Sequence, residues 1–371
     1  MKVMTVVGTR PEIIRLSAVI ARLDQFFDQV LVHTGQNFDY ELSEVFFEEL
    51  GVRRPDSFLG AAGGRLGTTL GSIFVGIENL IAIHKPDVFL ILGDTNSCLS
   101  ALIAKRLQVP VYHMEAGNRS FDENVPEEIN RRAIDHISDF NLVYTEHARR
   151  NLLAEGLPPR RIQLTGSPMA EVLRLQRPGI DGSTILSDLS LERGSYFLAS
   201  LHRQENVDNR ARLTSLLRGL SAVAEEYDRP VLVSTHPRTR ARLEGGEAHH
   251  VGLQFHKPWG FNDYSRLQLD AACVLSDSGS VSEEAAILGF PAVTVRDAIE
   301  RPEALDAGSI LMSGTDPANL IRCVALALDP GQRRDIPAEY EIDNCSSRTV
   351  AFIASTFHRH AEWAGLRPLS N

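Results

Sequence analysis

The chain has 371 residues, of which 43% are hydrophobic and 23% are charged, and its 48 acidic against 38 basic residues give a formal net charge of −10. These proportions are those of an ordinary globular protein and exclude a disordered, collagen-like or low-complexity chain. The length predicts two domains, and the negative charge argues against nucleic acid or an anionic membrane as the main partner.

The four cysteines, Cys98, Cys273, Cys323 and Cys345, are far apart and form no Cys-x-x-Cys pair. A disulfide framework or a zinc site is therefore not expected, and the composition favours a reducing cytoplasm. The apolar run at residues 3–7 is too short for a secretion signal, and no run is expected to span a membrane.

In the first half of the chain, short apolar runs alternate with stretches of helical periodicity. Strands are predicted at residues 3–7, 29–33, 87–92, 109–114, 141–144 and, more weakly, 161–164. A helix is predicted over residues 11–23, and a second apolar stripe at helical spacing covers residues 70–81. Continuous apolar strands separated by helices are typical of a parallel, doubly wound α/β sheet.

The pattern breaks at residues 176–183, where two glycines, a proline and small polar residues predict a linker. It then resumes, with strands predicted at residues 196–200, 230–234, 252–255, 273–276 and 291–295 and helices at 209–226 and 281–288. We therefore expect two Rossmann-like domains, residues 1–177 and 184–346, with a final helix at 347–363 that returns residues 347–371 to the first domain. Ligands of such sheets bind beyond the carboxyl ends of the strands, so two sheets in tandem suggest a cleft between domains.

Charged residues follow the first strands of the sequence. Gly8, Arg10 and Arg15 lie at a predicted helix N-terminus, which suits a diphosphate but also describes an ordinary solvated turn. No G-x-G-x-x-G or G-x-x-x-x-G-K-[ST] motif is present there, which argues against a dinucleotide site or a P-loop. Asp94, which follows the strand at 87–92, is either a catalytic carboxylate or, like Thr95 after it, a candidate cap of the following helix.

Two further acidic residues follow. Glu115 ends a strand that should be buried, where it is either a proton-transfer group or half of a salt bridge to Arg119 or another arginine. Glu127 and Arg131 lie four residues apart on a predicted helix, either as a solvated pair or as a third acid with its arginine. Three acids converging from neighbouring strand ends would suit general acid–base chemistry.

In the second half, His202 follows a strand and is a candidate partner of a leaving phosphate. Ser280 and Glu283 have the spacing of a capping box, and the small residues before that helix expose N–H groups that suit a phosphate. A well-capped helix without a ligand is the alternative. The candidate nucleotide-binding residues of this half are Ser278, Gly279, Ser280, Glu284 and Arg301.

Eight motifs occur in order between residues 8 and 303: G-T-R-P-E, T-G-Q, G-D-T-N-S, E-A-G-N-R, P-E-E-x-N-R, H-R-Q-E-N, D-S-G-S-x-x-E-E and E-R-P-E. Together they resemble the non-hydrolysing UDP-N-acetylglucosamine 2-epimerase family over nearly the whole chain. The resemblance implies a GT-B-like α/β fold, with the sugar and acid–base groups on the first domain and UDP on the second. It also implies an isomerase that needs no cofactor and no metal, a UDP-sugar as substrate and a homodimer.

In that family the C2 proton of the sugar is removed as UDP leaves C1, and UDP then adds back to a bound 2-acetamidoglucal, which interconverts UDP-GlcNAc and UDP-ManNAc. The resemblance assigns acid–base roles to Asp94, Glu115 and Glu127, and UDP departure to His202. It assigns substrate binding to Arg10, Arg15, Arg131, Ser278, Gly279, Ser280, Glu284 and Arg301, with Glu284 on the ribose. Arg15 stands where many members have lysine, and Ser280 where many have glycine.

Residues 36–40 depart from the Gln-His-x-x-Met stretch that supports activation by substrate in many bacterial members, so such activation is not carried over. Residues 35–40, 118–122 and 165–168 look closer to a subgroup that epimerises UDP-2-acetamido-2,6-dideoxy sugars towards UDP-N-acetyl-L-fucosamine. The sugar, a hydrolysing outcome, a GT-B glycosyltransferase and a non-catalytic UDP-sugar-binding regulator stay open. The stripe at residues 70–83 is either a dimer interface or a core-facing helix.

Overall fold

The computed structural model describes residues 1–35, 40–235 and 251–366. It divides into two compact units: the first runs from Met1 to Leu175 and resumes at Ile342, and the second is Gln176–Glu341. Each unit is built on one parallel sheet with helices, which confirms the predicted α/β fold class. Residues 36–39, which carry the departure from substrate-activated relatives, lie outside the described residues.

The first unit has seven strands: β1 (Lys2–Val7), β2 (Asp28–His33), β3 (Ser57–Phe58), β4 (Val88–Leu92), β5 (Val111–Met114), β6 (Phe140–Val143) and β7 (Ile162–Leu164). Its α-helices are α1 (Arg10–Phe26), α2 (Tyr40–Glu49), α3 (Leu66–His84), α4 (Ala101–Arg106), α5 (Pro126–Ile137), α6 (Glu146–Ala154) and α7 (Pro168–Asp181), with 3₁₀ turns at Asn96–Ser100 and Pro159–Arg161. The strand order is β3-β2-β1-β4-β5-β6-β7.

The second unit has six strands: β8 (Phe197–Leu201), β9 (Val231–Thr235), β10 (Leu253–His256), β11 (Val274–Ser276), β12 (Ala292–Thr294) and β13 (Leu311–Met312), in the order β10-β9-β8-β11-β12-β13. Its described helices are α8 (Ile185–Asp188), α9 (Gln204–Val207), α10 (Arg210–Tyr227), α11 (Phe261–Asp270), α12 (Val281–Leu288), α13 (Pro302–Asp306) and α14 (Pro317–Leu328), with a 3₁₀ turn at Ala338–Tyr340. The chain ends in the first unit with α15 (Cys345–Thr356), a 3₁₀ turn at Phe357–Arg359 and α16 (His360–Ala364).

All eleven predicted strands are present, each within two residues of its predicted ends. The central strands are buried along their whole length, as in β4, because helices cover both faces of a parallel sheet. In both units the strand order reverses beside the first strand. The chain leaves the neighbouring strands β1 and β4 towards opposite sides of the first sheet, and leaves β8 and β11 in the same way in the second. The carboxyl ends at such a reversal leave a crevice where ligands of α/β sheets bind.

The predicted linker at residues 176–183 begins at the boundary between the two units, but most of it is helical, since α7 continues through Pro178 and Gly179 to Asp181. Its glycine has a packing reason: a Cβ at Gly179 would lie 2.7 Å from Asn262 Nδ2. The boundary between the two units along the chain therefore falls inside α7, between Leu175 and Gln176.

The apolar stripe at residues 70–83 belongs to α3, which is long and apolar enough to cross a membrane by length and composition alone, as some helices of soluble proteins also are. Ile73, Ile77 and Ile81 lie four residues apart on one face and pack into the core of the first sheet. The opposite face exposes 60% of Val75 and 70% of Ile83. The helix thus has a core face and an uncovered apolar face.

Candidate functional site

In the first unit, the turn after β1 is organised by Glu12, a buried residue of α1. Its Oε2 accepts the backbone N–H groups of Gly8 and Thr9, each at 2.7 Å, and its Oε1 accepts the Thr95 hydroxyl at 2.7 Å. Burial raises the pKa of Glu12, while the hydrogen bonds from Thr95, Gly8 and Thr9 act in the opposite direction. The amides expected to suit a diphosphate at this turn are therefore occupied by an internal carboxylate.

The same turn is closely packed. The hydroxyls of Thr34 and Ser97 are 2.7 Å apart and both residues are buried. A Cβ at Gly8 would lie 2.0 Å from Ser97 Oγ and 2.3 Å from Thr34 Oγ1, so only glycine fits. Arg10, in the first turn of α1, places its guanidinium carbon 5.6 Å from the ring centre of Phe46.

Asp94 follows β4 and is held by an arginine of α5. Arg131 Nε and Nη2 both donate to Asp94 Oδ2, at 3.0 and 2.7 Å, and Arg131 Nη1 donates to Glu128 Oε2 at 2.8 Å. Asp94 is not the side-chain cap of the next turn, because Thr95 Oγ1 accepts the N–H of Ser97 there. Asp94 is therefore a partly exposed carboxylate with a fixed orientation.

Glu128 is the buried anchor of this pair. Burial raises its pKa, but the Ser120 N–H and the charge of Arg131 outweigh that effect, so the pKa of Glu128 lies below its usual value. Arg132 also donates to Glu128, at 3.0 Å. Arg131, which the sequence analysis paired with Glu127, thus pairs with Glu128 instead. Glu127 is half-buried in the first turn of α5.

Glu115 follows β5 and pairs with an arginine one hundred positions earlier in the chain. Arg15 Nη1 lies 2.7 Å from Glu115 Oε2, and the two side chains are only 8% and 9% exposed. A Cβ at Gly93 would lie 3.9 Å from the same oxygen, which places Glu115 beside the turn that carries Asp94. The structure thus brings together two acids, Asp94 and Glu115, each with its own arginine.

In the second unit, Asp277 organises the carboxyl ends of β8 and β11. This fully buried carboxylate accepts the N–H groups of His202 and Arg203 and the amide of Asn206, at 3.0 to 3.2 Å. The His202 Nδ1 atom lies 3.1 Å from Asp277 Oδ1. Burial raises the pKa of Asp277, but the charge and hydrogen bonds of His202 outweigh it, so the pKa lies below its usual value.

The predicted capping box at the start of α12 is wrong. The Ser280 side chain makes no cap hydrogen bond; its Oγ lies 3.0 Å from Ser278 Oγ. Glu283 instead lies 2.9 Å from Arg301 Nε, and both side chains are buried. A Cβ at Gly279 would lie 2.8 Å from Arg301 Nη1, so glycine makes room for this guanidinium.

Glu284 is nearly buried, and its Oε2 accepts the Gln268 amide at 2.6 Å. Ser278, Gly279, Ser280 and Glu284 lie at or near the start of α12, and the guanidinium of Arg301 reaches the same turn beside Gly279. Within residues 1–35, 40–235 and 251–366, no group of three or more His, Cys, Asp or Glu side chains is arranged to hold a metal ion.

The residues that sequence reasoning missed are buried acids that orient others: Glu12, Glu128 and Asp277. All three lie inside the motifs G-T-R-P-E, P-E-E-x-N-R and D-S-G-S-x-x-E-E. The signal was therefore present, but a motif does not tell which of its acids is exposed to a ligand and which is buried among donors.

Comparisons with known proteins identify the family of the chain. A family model described as UDP-N-acetylglucosamine 2-epimerase matches residues 21–354. A Pseudomonas aeruginosa protein named UDP-2,3-diacetamido-2,3-dideoxy-D-glucuronate 2-epimerase is 38% identical, over 95% of this chain and 99% of that protein.

Two solved structures are also similar. A UDP-N-acetylglucosamine 2-epimerase from Rickettsia bellii has a TM-score of 0.92 and 42% identity, covering 99% of this chain and all of that one. A Methanocaldococcus jannaschii UDP-GlcNAc 2-epimerase, in complex with UDP-GlcNAc and UDP, has a TM-score of 0.90 and 35% identity, covering 96% and 100%.

Proposed function

The chain belongs to the UDP-N-acetylglucosamine 2-epimerase family and is a UDP-sugar 2-epimerase, an isomerase, and on that premise we propose that it interconverts UDP-GlcNAc and UDP-ManNAc. The observation that carries the proposal is the pair of acids at adjacent strand ends, Asp94 with Arg131 and Glu115 with Arg15. The solved relative in complex with UDP-GlcNAc and UDP supports the choice of sugar nucleotide.

The chemistry explains why more than one acid is needed. The C2–H bond is next to no carbonyl group, so its proton is hardly acidic until the C1–O bond to the diphosphate breaks. One carboxylate takes the C2 proton, the C–H electrons form the C1=C2 bond of 2-acetamidoglucal, and UDP leaves with the C1–O electrons. A second acid then protonates the other face of C2 as UDP returns to C1, which inverts that centre.

We assign the acid–base roles to Asp94, Glu115 and Glu127, with the guanidinium groups of Arg131 and Arg15 fixing the first two. Fixed carboxylates lower the barrier because little reorganisation is needed as the proton moves. Arg10 is assigned to the substrate beside these acids.

In the second unit we assign UDP binding to Ser278, Gly279, Ser280, Arg301 and Glu284, with Glu284 on the ribose. His202 is assigned to the departing diphosphate. The Asp277 carboxylate beside its Nδ1 orients the ring, and Nε2 is the ring nitrogen left for the phosphate.

A second candidate substrate follows from the 38% identical relative, whose name specifies a 2,3-diacetamido-glucuronate. That sugar carries a carboxylate at C6, where the 6-deoxy substrates suggested by residues 35–40 carry a methyl group. The elimination at C1 and C2 is the same for all three sugars. The acids at the strand ends therefore support the reaction more strongly than they support one sugar.

The test is to incubate the protein with each of the three UDP-sugars in deuterated water and to follow the proton NMR spectrum. We expect the 2-epimer to appear with deuterium at C2, fastest with UDP-GlcNAc. Epimerisation without deuterium would contradict the elimination mechanism. Free ManNAc and UDP as products would indicate a hydrolysing enzyme. Turnover only with an added acceptor would indicate a glycosyltransferase, and binding of the UDP-sugar without turnover would indicate a regulator.

The variants Asp94→Asn, Glu115→Gln and Glu127→Gln should retain UDP binding and lose most turnover. The matched control is Asp87→Asn, which changes an exposed aspartate at the opposite end of β4 and should leave turnover unchanged. Near-normal turnover in any of the three variants would remove that acid from the mechanism.

We also propose a homodimer that buries the uncovered face of α3, since Val75 and Ile83 are largely exposed there. A Val75→Glu substitution should shift the mass measured by light scattering from two chains to one, and an unchanged mass would contradict this interface. A cytoplasmic location is supported by four buried free cysteines.

A further inference from the structure

A cluster of ionisable side chains, buried except for the partly exposed Glu155, lies behind the Glu115 turn and has no role in the chemistry above. It consists of His113, Arg119, Asp135 and Glu155, and we call it the Asp135 cluster. Arg119 donates to Asp135 Oδ2 at 2.7 Å and makes a two-point contact with Glu155 at 2.7 and 2.6 Å. His113 Nδ1 lies 2.9 Å from Asp135 Oδ1, and both side chains are completely buried.

The cluster is bonded to both turns that carry the acids. Asp135 accepts the N–H of Gly117, two residues after Glu115, at 3.1 Å. On the other side, His113 Nε2 donates to the carbonyl of Gly93, the residue before Asp94, at 2.8 Å. One group of side chains thus fixes the backbone next to Glu115 and next to Asp94.

The Glu115 turn needs such support because its backbone is wound in the left-handed sense. Glu115 has φ = +66° and Gly117 has φ = +81°. A glutamate rarely adopts this conformation, so the surrounding contacts must hold it. Gly117 is held on both sides, since its carbonyl also accepts the Asn151 amide at 3.0 Å, and a Cβ there would lie 2.4 Å from the Ala148 carbonyl oxygen.

Stability alone gives little reason for burying these charges. Buried ion pairs are often no more stabilising than apolar side chains of the same volume, because the charges must be removed from water. Their advantage is that hydrogen bonds are directional: a carboxylate that accepts one particular N–H and one guanidinium fixes the backbone in a single conformation. Because the cluster lies behind the two acids, the conformation it fixes is that of the turns carrying Glu115 and Asp94.

We propose that Asp135 is a positioning residue of the epimerase, which holds the Glu115 carboxylate in its reactive place through the Gly117 N–H, with His113 extending the support to the Asp94 turn. This inference rests on the proposed function, because it assumes that Glu115 takes part in proton transfer. Asp135 itself neither touches the sugar nor exchanges a proton with it.

The experiment is a double-mutant cycle between Asp135→Asn and Glu115→Asp, a variant that keeps a carboxylate but shortens its reach. We expect Asp135→Asn to lower kcat by about tenfold to a hundredfold, as misplacement of a reacting group does, with KM within about threefold of the wild type. In the double variant, Asp135→Asn should lower kcat by only about twofold more, because Glu115 is already out of place. Losses that multiply fully would overturn the proposal.

Asp139→Asn is a closely matched control. Asp139 is equally buried and accepts the N–H of Val111 at 3.1 Å, at the opposite end of the same strand β5. Its substitution should lower the unfolding midpoint and leave kcat of the folded enzyme unchanged. If Asp139→Asn lowers kcat as much as Asp135→Asn does, the effect is a general loss of stability and the proposal is refuted.

If Asp135→Asn does not fold, variants of His113 provide the test instead. His113→Leu removes the bond to the Gly93 carbonyl and should lower kcat, whereas His113→Gln keeps an N–H donor and should restore part of it; equal kcat values would contradict positioning. Wild-type kcat in Glu115→Asp would refute the role of Glu115 in the proposed function. An impaired Glu115→Asp beside a fully active, folded Asp135→Asn would refute only the positioning inference.

Discussion

The Gly8→Ala substitution tests whether the turn after β1 is as closely packed as its geometry indicates. The added Cβ would lie 2.0 Å from Ser97 Oγ and 2.3 Å from Thr34 Oγ1, whereas ordinary contact begins near 3.4 Å. Both hydroxyls must therefore retreat by about an ångström or more, which breaks the 2.7 Å hydrogen bond between them.

The magnitude follows from two effects. Overpacking in a rigid interior costs about 1 to 3 kcal/mol. Separating two buried hydroxyls from each other adds about 1 kcal/mol. We therefore expect Gly8→Ala to lower the free energy of unfolding by about 2 to 4 kcal/mol.

The assay is urea unfolding followed by circular dichroism, with Gly64→Ala as the matched control. A Cβ at Gly64 meets nothing within 4 Å, so that variant should stay within about 0.5 kcal/mol of the wild type. A Gly8→Ala protein as stable as the Gly64→Ala protein would show that the turn can relax, and the close-packing argument would fail.

Three further predictions concern the charged groups. Arg131→Met should lower the free energy of unfolding by about 3 kcal/mol in urea titrations, because it removes one partner of the buried Glu128 carboxylate; an unchanged value would mean that the remaining donors suffice. Since the folded-state pKa of Asp277 is lowered, its stabilisation is present above pH 4 or so and is lost as the pH falls through the folded pKa. The stability gap between wild type and Asp277→Asn should therefore be widest near neutral pH and narrow below about pH 4, and a gap independent of pH would contradict this. Gly279→Ala should weaken UDP binding about tenfold in calorimetry by displacing Arg301, and unchanged affinity would remove Arg301 from the proposed UDP site.

The alternation of strands and helices could be predicted from the sequence because buried parallel strands are continuous apolar runs, as in β4 and β8. The two-residue strands β3 and β13 were missed, since so short a run carries no periodicity. The linker was predicted at the boundary between the units but not as a helix, because proline and glycine break helices on average, whereas Gly179 packs against Asn262 here.

The candidate site could be predicted in its residue types but not in its pairings. Arg15 and Glu115 are one hundred positions apart, and only the folded sheet shows that they form a pair. The capping-box prediction for Glu283 failed for a related reason: a buried guanidinium, Arg301, binds a carboxylate more strongly than the local backbone does.

The return of the chain to the first unit affects how the protein is made. Phe352 of α15 packs edge-on against Phe140 and Tyr112, and the Thr356 hydroxyl lies 2.8 Å from that of Tyr112. The residues of α15 that make these contacts are synthesised after the whole of the second unit. During synthesis the first unit therefore has Tyr112 and Phe140 uncovered until α15 is made. A chain truncated after Glu341 would leave that aromatic surface permanently accessible to chaperones and proteases.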